Sequence, residues 1–195
     1  MAREHPIATL VGGELARMGA RSATIYAVLK SPTLCGKEIT PARLTTLARQ
    51  IHLEATGESS HPGLMPSATS WYFSSDRRIM HSSLILSLAW SWRHLGPEQS
   101  FVKAYTIYWR LTGGDRTDLA DGRTVSADRA WRLVQQSLLP MQNWIQAKAR
   151  GHTAATPAIR LLRCRSCTIP VIASSENLRV TCPVCRGKDQ TKSSC

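Results

Sequence analysis

The residues best suited to chemistry are four cysteines near the C-terminus, Cys164, Cys167, Cys182 and Cys185. They form two Cys-x-x-Cys pairs with fourteen residues between them. Within each pair a tight turn brings both sulfurs onto one ion, and four thiolates complete a tetrahedral zinc site. Such a site is structural, because no coordination position is left for water or substrate. The spacing between the pairs falls just under the usual range of about fifteen to twenty residues. One structural Zn2+ per chain is the expectation, held in a zinc-ribbon-like or treble-clef-like module. Two disulfides or a redox dithiol could use the same residues. A thioredoxin-type dithiol needs a strand–helix setting that this segment does not offer. Between the pairs the pattern predicts a hairpin. Ile169, Val171 and Ile172 lead to a turn at residues 173–177, and Leu178 and Val180 return. Cys35 and Cys195 are left over.

The cysteines sit in the most basic part of the chain. The 195 residues carry 25 Lys+Arg and 13 Asp+Glu, a formal net charge of +12. From Lys148 to Cys195 there are 9 basic and 2 acidic side chains, and the rest of the chain holds 16 and 11. This balance points to an acidic partner, such as nucleic acid. A membrane surface attracts the same charge, but no basic amphipathic helix is visible. The start, Met1-Ala-Arg-Glu-His5, is polar and no apolar stretch follows, so no signal peptide is expected. The most apolar window, residues 84–92, is far short of a membrane span. The expected location is cytoplasmic, where thiols stay reduced and metal is favoured over disulfides.

The elements that must position the cysteines read as helices. Ile7, Leu10, Val11, Leu15, Met18, Ile25, Val28 and Leu29 recur at helical spacing, with Gly19 a point of interruption or close packing. Thr40-Pro41 reads as an N-cap with proline in the first turn, opening a helix that Gly57 closes. These two stretches allow a helix-turn-helix near residues 20–56, although a plain helical hairpin has the same pattern. A loop at residues 57–74 runs into Trp71-Tyr72-Phe73 and is expected to fold back over the core. Ser75-Asp76 caps a central helix to about Leu95. A further helix follows Gly96-Pro97, and a last long one starts near Ser126, with Pro140 expected to kink or split it. The fold class is mainly α: a helical domain over 1–150, a linker at 151–157, the cysteine module at 158–190 and a tail at 191–195.

No catalytic constellation is present, so the chain does not read as an enzyme. The histidines at 5, 52, 61, 81, 94 and 152 are scattered, and Asp115, Asp118 and Asp121 read as a solvated acidic loop. Trp90, Trp109, Trp131 and Trp144 fall on apolar helix faces, which favours core packing over base stacking. The candidate DNA contacts are basic side chains. Arg160, Arg163, Arg165, Arg179, Arg186 and Lys188 crowd the cysteine module, and Arg17, Arg21, Arg43 and Arg49 form a second group. A zinc-ribbon adaptor that docks an acidic protein or RNA is the competing reading.

The pieces together resemble the FlhC family, the C subunit of the bacterial flagellar master transcription activator. The matching residues are Gly19-Ala20-Arg21, Arg43-Leu44, and Gly63-Leu64-Met65-Pro66 leading into Ser70-Trp71-Tyr72-Phe73. Ala89-Trp90, Ala104-Tyr105 with Tyr108, Arg129-Ala130-Trp131 with Leu133-Val134, and the two Cys-x-x-Cys pairs follow in order. The resemblance implies a helical body and zinc on Cys164, Cys167, Cys182 and Cys185. It implies a heterohexamer with an FlhD-like subunit that binds double-stranded promoter DNA. It also implies activation of flagellar operons through RNA polymerase.

Overall fold

The computed structural model describes residues 5–35, 39–61, 66–114, 124–177 and 179–192, the last five as backbone only. The Gly63-Leu64-Met65 part of the loop motif, Asp115, Asp118, Asp121, Leu178, Cys195 and the side chain of Lys188 lie outside the described residues.

The chain opens with α1 (Pro6–Arg17) and α2 (Ser22–Leu29). The helical pattern breaks at Gly19, whose φ of 85° is left-handed backbone that glycine adopts without a steric penalty. A short helix, α3 (Pro32–Cys35), leads to α4 (Pro41–Thr56). The side chain of Thr40 accepts the Arg43 N–H at the start of α4, and Gly57, at φ 75°, ends it. Helices α1, α2 and α4 pack together. Gly12 makes this close approach possible, since a Cβ there would lie 3.0 Å from Ile51 Cγ2 and 3.1 Å from Ile25 Cγ2. The glycine that weakens α1 in isolation is therefore a packing device. The connection from α2 to α4 contains α3. It is longer than the turn of about three to four residues in a DNA-reading helix-turn-helix.

The second group is α5 (Asp76–Ser91), α6 (Pro97–Leu111) and α7 (Ala127–Ala149), which pack on one another. Ser75 caps α5 through the Arg78 N–H, and Ser126 caps α7 through the Arg129 N–H. Pro140 does not split α7. It is exposed, so the backbone carbonyl it leaves without an N–H lies on the solvent side. Before α5, residues Thr69–Phe73 make a 3₁₀ turn that folds back on the core. Tyr72 is buried there, with its hydroxyl donating to the Arg129 carbonyl at 2.9 Å. Tyr108 and His81 are likewise core-satisfying polar groups, with the phenol 2.7 Å from His81 Nδ1 and accepting the Val125 N–H. Burial, then the charge of Arg77, holds His81 below the usual imidazole range.

Strands β1 (Ile159–Arg163) and β2 (Pro170–Ser174) pair antiparallel, with Leu161 opposite Ile172, and α8 (Pro183–Lys192) follows. This corrects the hairpin expected between the cysteine pairs. Val180 is not in a strand, and the partner of β2 lies upstream of Cys164. The reason is burial. Ile159 and Ile172 both enter the main core, which a return strand after residue 177 would not supply. The hairpin rests on α5 and α7. Trp144 is a second correction. Trp131 is buried and Trp90 and Trp109 pack against the core, but Trp144 lies outside it. Its ring faces Lys148 Nζ at 4.6 Å and the Arg160 guanidinium at 5.8 Å.

The two helical groups are joined by a polar node. Asp128, 6% exposed, accepts from Arg21 Nε, from the Arg21 backbone N–H at 3.1 Å and from the Thr24 hydroxyl. Removing one partner of a largely buried pair leaves the other without compensation. Arg21 keeps some solvent contact, which moderates the loss. Asp128→Ala is expected to lower stability by about 2–3 kcal/mol in urea denaturation. A loss below about 1 kcal/mol would show that the node does not hold the two groups together.

Candidate metal centre and basic surface

The four cysteines converge because each pair sits at a forced change of chain direction. The first pair is the turn of the β1–β2 hairpin. Cys164 N–H donates to the Ile169 carbonyl at 2.9 Å, and Thr168 N–H returns to the Cys164 carbonyl at 2.9 Å. Thr168 takes a φ of 63°, a left-handed conformation unusual for a β-branched residue, which closes the knuckle. The second pair straddles the start of α8. Cys182 precedes Pro183, Cys185 lies in the first turn, and the Arg186 N–H bonds the Cys182 carbonyl at 3.0 Å. The positive end of a helix favours thiolates at this position.

All four sulfurs lie within 4.8 Å of one another, and Cys167 and Cys182 Sγ are 3.6 Å apart. A tetrahedron with metal–sulfur bonds of about 2.3 Å needs sulfurs about 3.8 Å apart. The donor set therefore fits a zinc-sized, thiophilic ion with sulfur shifts of about an ångström or less. All four are free thiols, with Cys164 and Cys182 buried and Cys167 and Cys185 half-buried. Backbone N–H groups complete the cage, Cys182 N–H to Cys164 Sγ at 3.2 Å and Cys185 N–H to Cys182 Sγ at 3.4 Å. The Cys182 N–H foremost, then that of Cys167, brings the Cys164 thiol down to about 6. The crowded neighbouring thiols, Cys182 first, push Cys185 up to about 12. A cation at the centre of the four sulfurs would favour their thiolate forms. Cys35 takes no part. It is buried on α3, its carbonyl accepts from His5 Nδ1 at 3.2 Å, and burial pushes its thiol up.

The basic candidates divide by what the fold asks of them. Arg160, one of the expected DNA contacts, is enclosed in the fold. It is 5% exposed, and its Nη2 donates to the carbonyls of Ser174, Ser175 and Asn177, which clamps the end of β2. Arg21 is half-buried against Asp128. Arg186 is exposed but pairs with Asp76 at 2.6 Å, fastening α8 to α5. Arg17 is exposed and pairs with Glu14 at 2.7 Å. Arg163, Arg165 and Arg179 are exposed around the knuckles, and Arg163 also donates to the Thr168 carbonyl at 3.3 Å. Arg43 and Arg49 are exposed on α4. Arg49 and Arg21 line one cleft of about 580 Å³ with Thr46, Gln50, Ser60 and His61.

Sequence reasoning missed a third basic group on the helical body. The guanidiniums of Arg78 and Arg129 lie 4.5 Å and 4.1 Å from the centre of the Trp71 ring. The available signal was the spacing of Arg129 and Arg132 on one helix face and the Arg77-Arg78 pair after the Ser75 cap.

Among the described residues no helix is long and apolar enough to cross a membrane. The sequence matches the family described as "Flagellar transcriptional activator (FlhC)" over residues 9–187. It is also similar to the "Flagellar transcriptional regulator FlhC" of Verminephrobacter eiseniae (strain EF01-2), at 33% identity over 121 residues. That alignment covers 62% of this chain and 58% of the relative. A helical body that ends in a four-cysteine cluster, matched along nearly its whole length, belongs to the FlhC family of flagellar transcriptional regulators.

Proposed function

We propose that this chain is a DNA-binding activator subunit rather than an enzyme, and that it works in the cytoplasm. With an FlhD-like partner, in a heterohexamer, it binds duplex promoter DNA and activates flagellar operons through RNA polymerase. The observation that carries the DNA reading is the placement of exposed Arg163, Arg165 and Arg179 on the four-cysteine module. The module fixes their backbone positions, so phosphate contacts form without ordering a loose tail. The partner is supported by exposed apolar side chains on helix α1, where Ile7 and Leu10 are 60% and 67% exposed.

Cys164, Cys167, Cys182 and Cys185 would hold one Zn2+, which when bound supplies a closed, non-catalytic cross-link. The residues themselves do the positioning. Cys164 and Cys167 hold the hairpin turn, and Cys182 and Cys185 anchor the start of α8 beside it. A segment of this size has little core of its own, so metal binding and its folding are coupled.

Cys167→Ser is expected to remove one zinc per chain in a metal assay and to weaken promoter binding at least tenfold, with loss of protein in cells. Full promoter binding by the metal-free variant would refute the zinc assignment. The second outcome concerns salt. Logarithmic affinity for promoter duplex should fall linearly with logarithmic salt, at about 0.9 per neutralised phosphate. A flat dependence between about 50 and 200 mM salt would exclude phosphate contacts as the main source of affinity.

A further inference from the structure

We propose that Arg78, Arg129 and Arg132 form a second phosphate-contact patch, on the helical body, that engages the same duplex as the four-cysteine module. This rests on the DNA-binding reading above and adds residues that lie outside the module.

Three observations carry it. First, the cluster is built. Arg78 and Arg129 come from different helices, α5 and α7, yet both guanidiniums rest against Trp71. The Tyr72 hydroxyl bonds the Arg129 carbonyl and holds the adjoining Trp71, whose ring meets that of Tyr72 edge-on, against α7. Arg78 Nη1 also donates to Ser74 Oγ at 2.6 Å. Arg132 lies one helical turn beyond Arg129 on α7, on the same face.

Second, the cluster is not neutralised. Among the described residues, none of the three pairs with a carboxylate. The acids closest in sequence are engaged elsewhere, Asp76 by Arg186 and Asp128 by Arg21 and Thr24. Arg132 Nε is buried without a hydrogen-bond partner, and its Nη1 reaches only Gln135 at 3.1 Å. Burial foremost, with the charge of Arg78 adding to it, holds Arg129 below the usual guanidinium range. Like charges gathered by an indole ring, without a carboxylate partner, form a site that gains from an incoming anion.

Third, the patch is continuous with the module. Arg186 on α8 bonds Asp76 in the first turn of α5, and Arg77 and Arg78 follow directly. A path of guanidiniums therefore runs from the module across the start of α5 to the first turns of α7. Duplex DNA offers regularly spaced phosphates along such a path, and a short acidic peptide would reach only part of it.

The test uses the zinc-loaded chain assembled with its FlhD-family partner. Anisotropy titrations on a promoter duplex and a scrambled duplex of equal length, across salt, compare the unsubstituted complex with Arg78→Gln, Arg129→Gln and Arg132→Gln. Each variant is expected to weaken both duplexes to the same extent. Each should also reduce the magnitude of the salt slope by about 0.9, the change for one lost phosphate contact. Arg78→Lys should restore the slope, because it keeps the charge. If Arg129→Gln lowers the melting temperature, the other two glutamine variants still decide the matter, since both side chains are only partly buried. Unchanged slopes overturn the proposal. Lost transcription in vitro with unchanged duplex affinity overturns it too, and assigns the patch to an acidic protein surface. If the unsubstituted complex does not bind duplex DNA, the DNA-binding reading falls first and this one with it.

Discussion

The seat of the β-hairpin on α5 is the constraint from which the C-terminal half of the molecule follows. Ile159 and Ile172 insert into the same core as the helices. The Ile172 N–H donates to Ser83 Oγ at 2.9 Å, and the Leu161 N–H meets Met141 Sδ at 3.3 Å. A hairpin of two five-residue strands is marginal by itself. Once seated, it presents Cys164 and Cys167 at its turn, and Ile79 of α5 packs beneath both the main core and the cysteine cluster. The cysteine site is thus framed by the helical body and does not hang from it on a free linker.

This arrangement separates two tasks for arginine. Burying a guanidinium requires acceptors for its donors, and Arg160 finds three carbonyls where β2 ends. Arg21 finds Asp128 and joins the two helical groups. Both guanidiniums are thereby engaged within the fold. The exposed Arg163, Arg165 and Arg179 have no such structural duty, apart from one bond from Arg163 to the knuckle. Arg160 matches these three in residue type and in proximity to the cysteines, so only the fold distinguishes it.

That distinction marks the limit of what the sequence could reveal. The helix boundaries were legible because their punctuation is chemical: Thr40, Ser75 and Ser126 each accept an N–H of the first turn, and Gly19 and Gly57 take left-handed backbone. The four-sulfur cluster was legible because Cys-x-x-Cys spacing is set by knuckle geometry. The strand pairing was not. The apolar residues on both sides of the cysteines fit a strand, and only burial of Ile159 selects the upstream partner. Trp144 was misread for a related reason. Periodicity places it on the apolar face of α7, but that face outlasts the core, and the indole meets Lys148 and Arg160 instead. The Trp71 arginine cluster escaped notice because Arg78 and Arg129 sit on different helices, more than fifty residues apart from each other in sequence.

For the polyanion proposed above, the helical body would matter because of how the charge is distributed. Residues 148–195 carry 9 basic and 2 acidic side chains, but four thiolates around one divalent ion, as proposed, would remove about two charges from the excess. Arg160 is enclosed, and Arg186 is neutralised by Asp76. The charge the module can present is thus much smaller than its composition suggests. A uniformly basic tail would need no rigid frame to attract nucleic acid, whereas a module with few outward charges gains most when a second group is held at a fixed distance from it. The Arg186–Asp76 pair sets α8 beside the start of α5, with Cys182 and Cys185 next to one partner and the Ser75 cap next to the other.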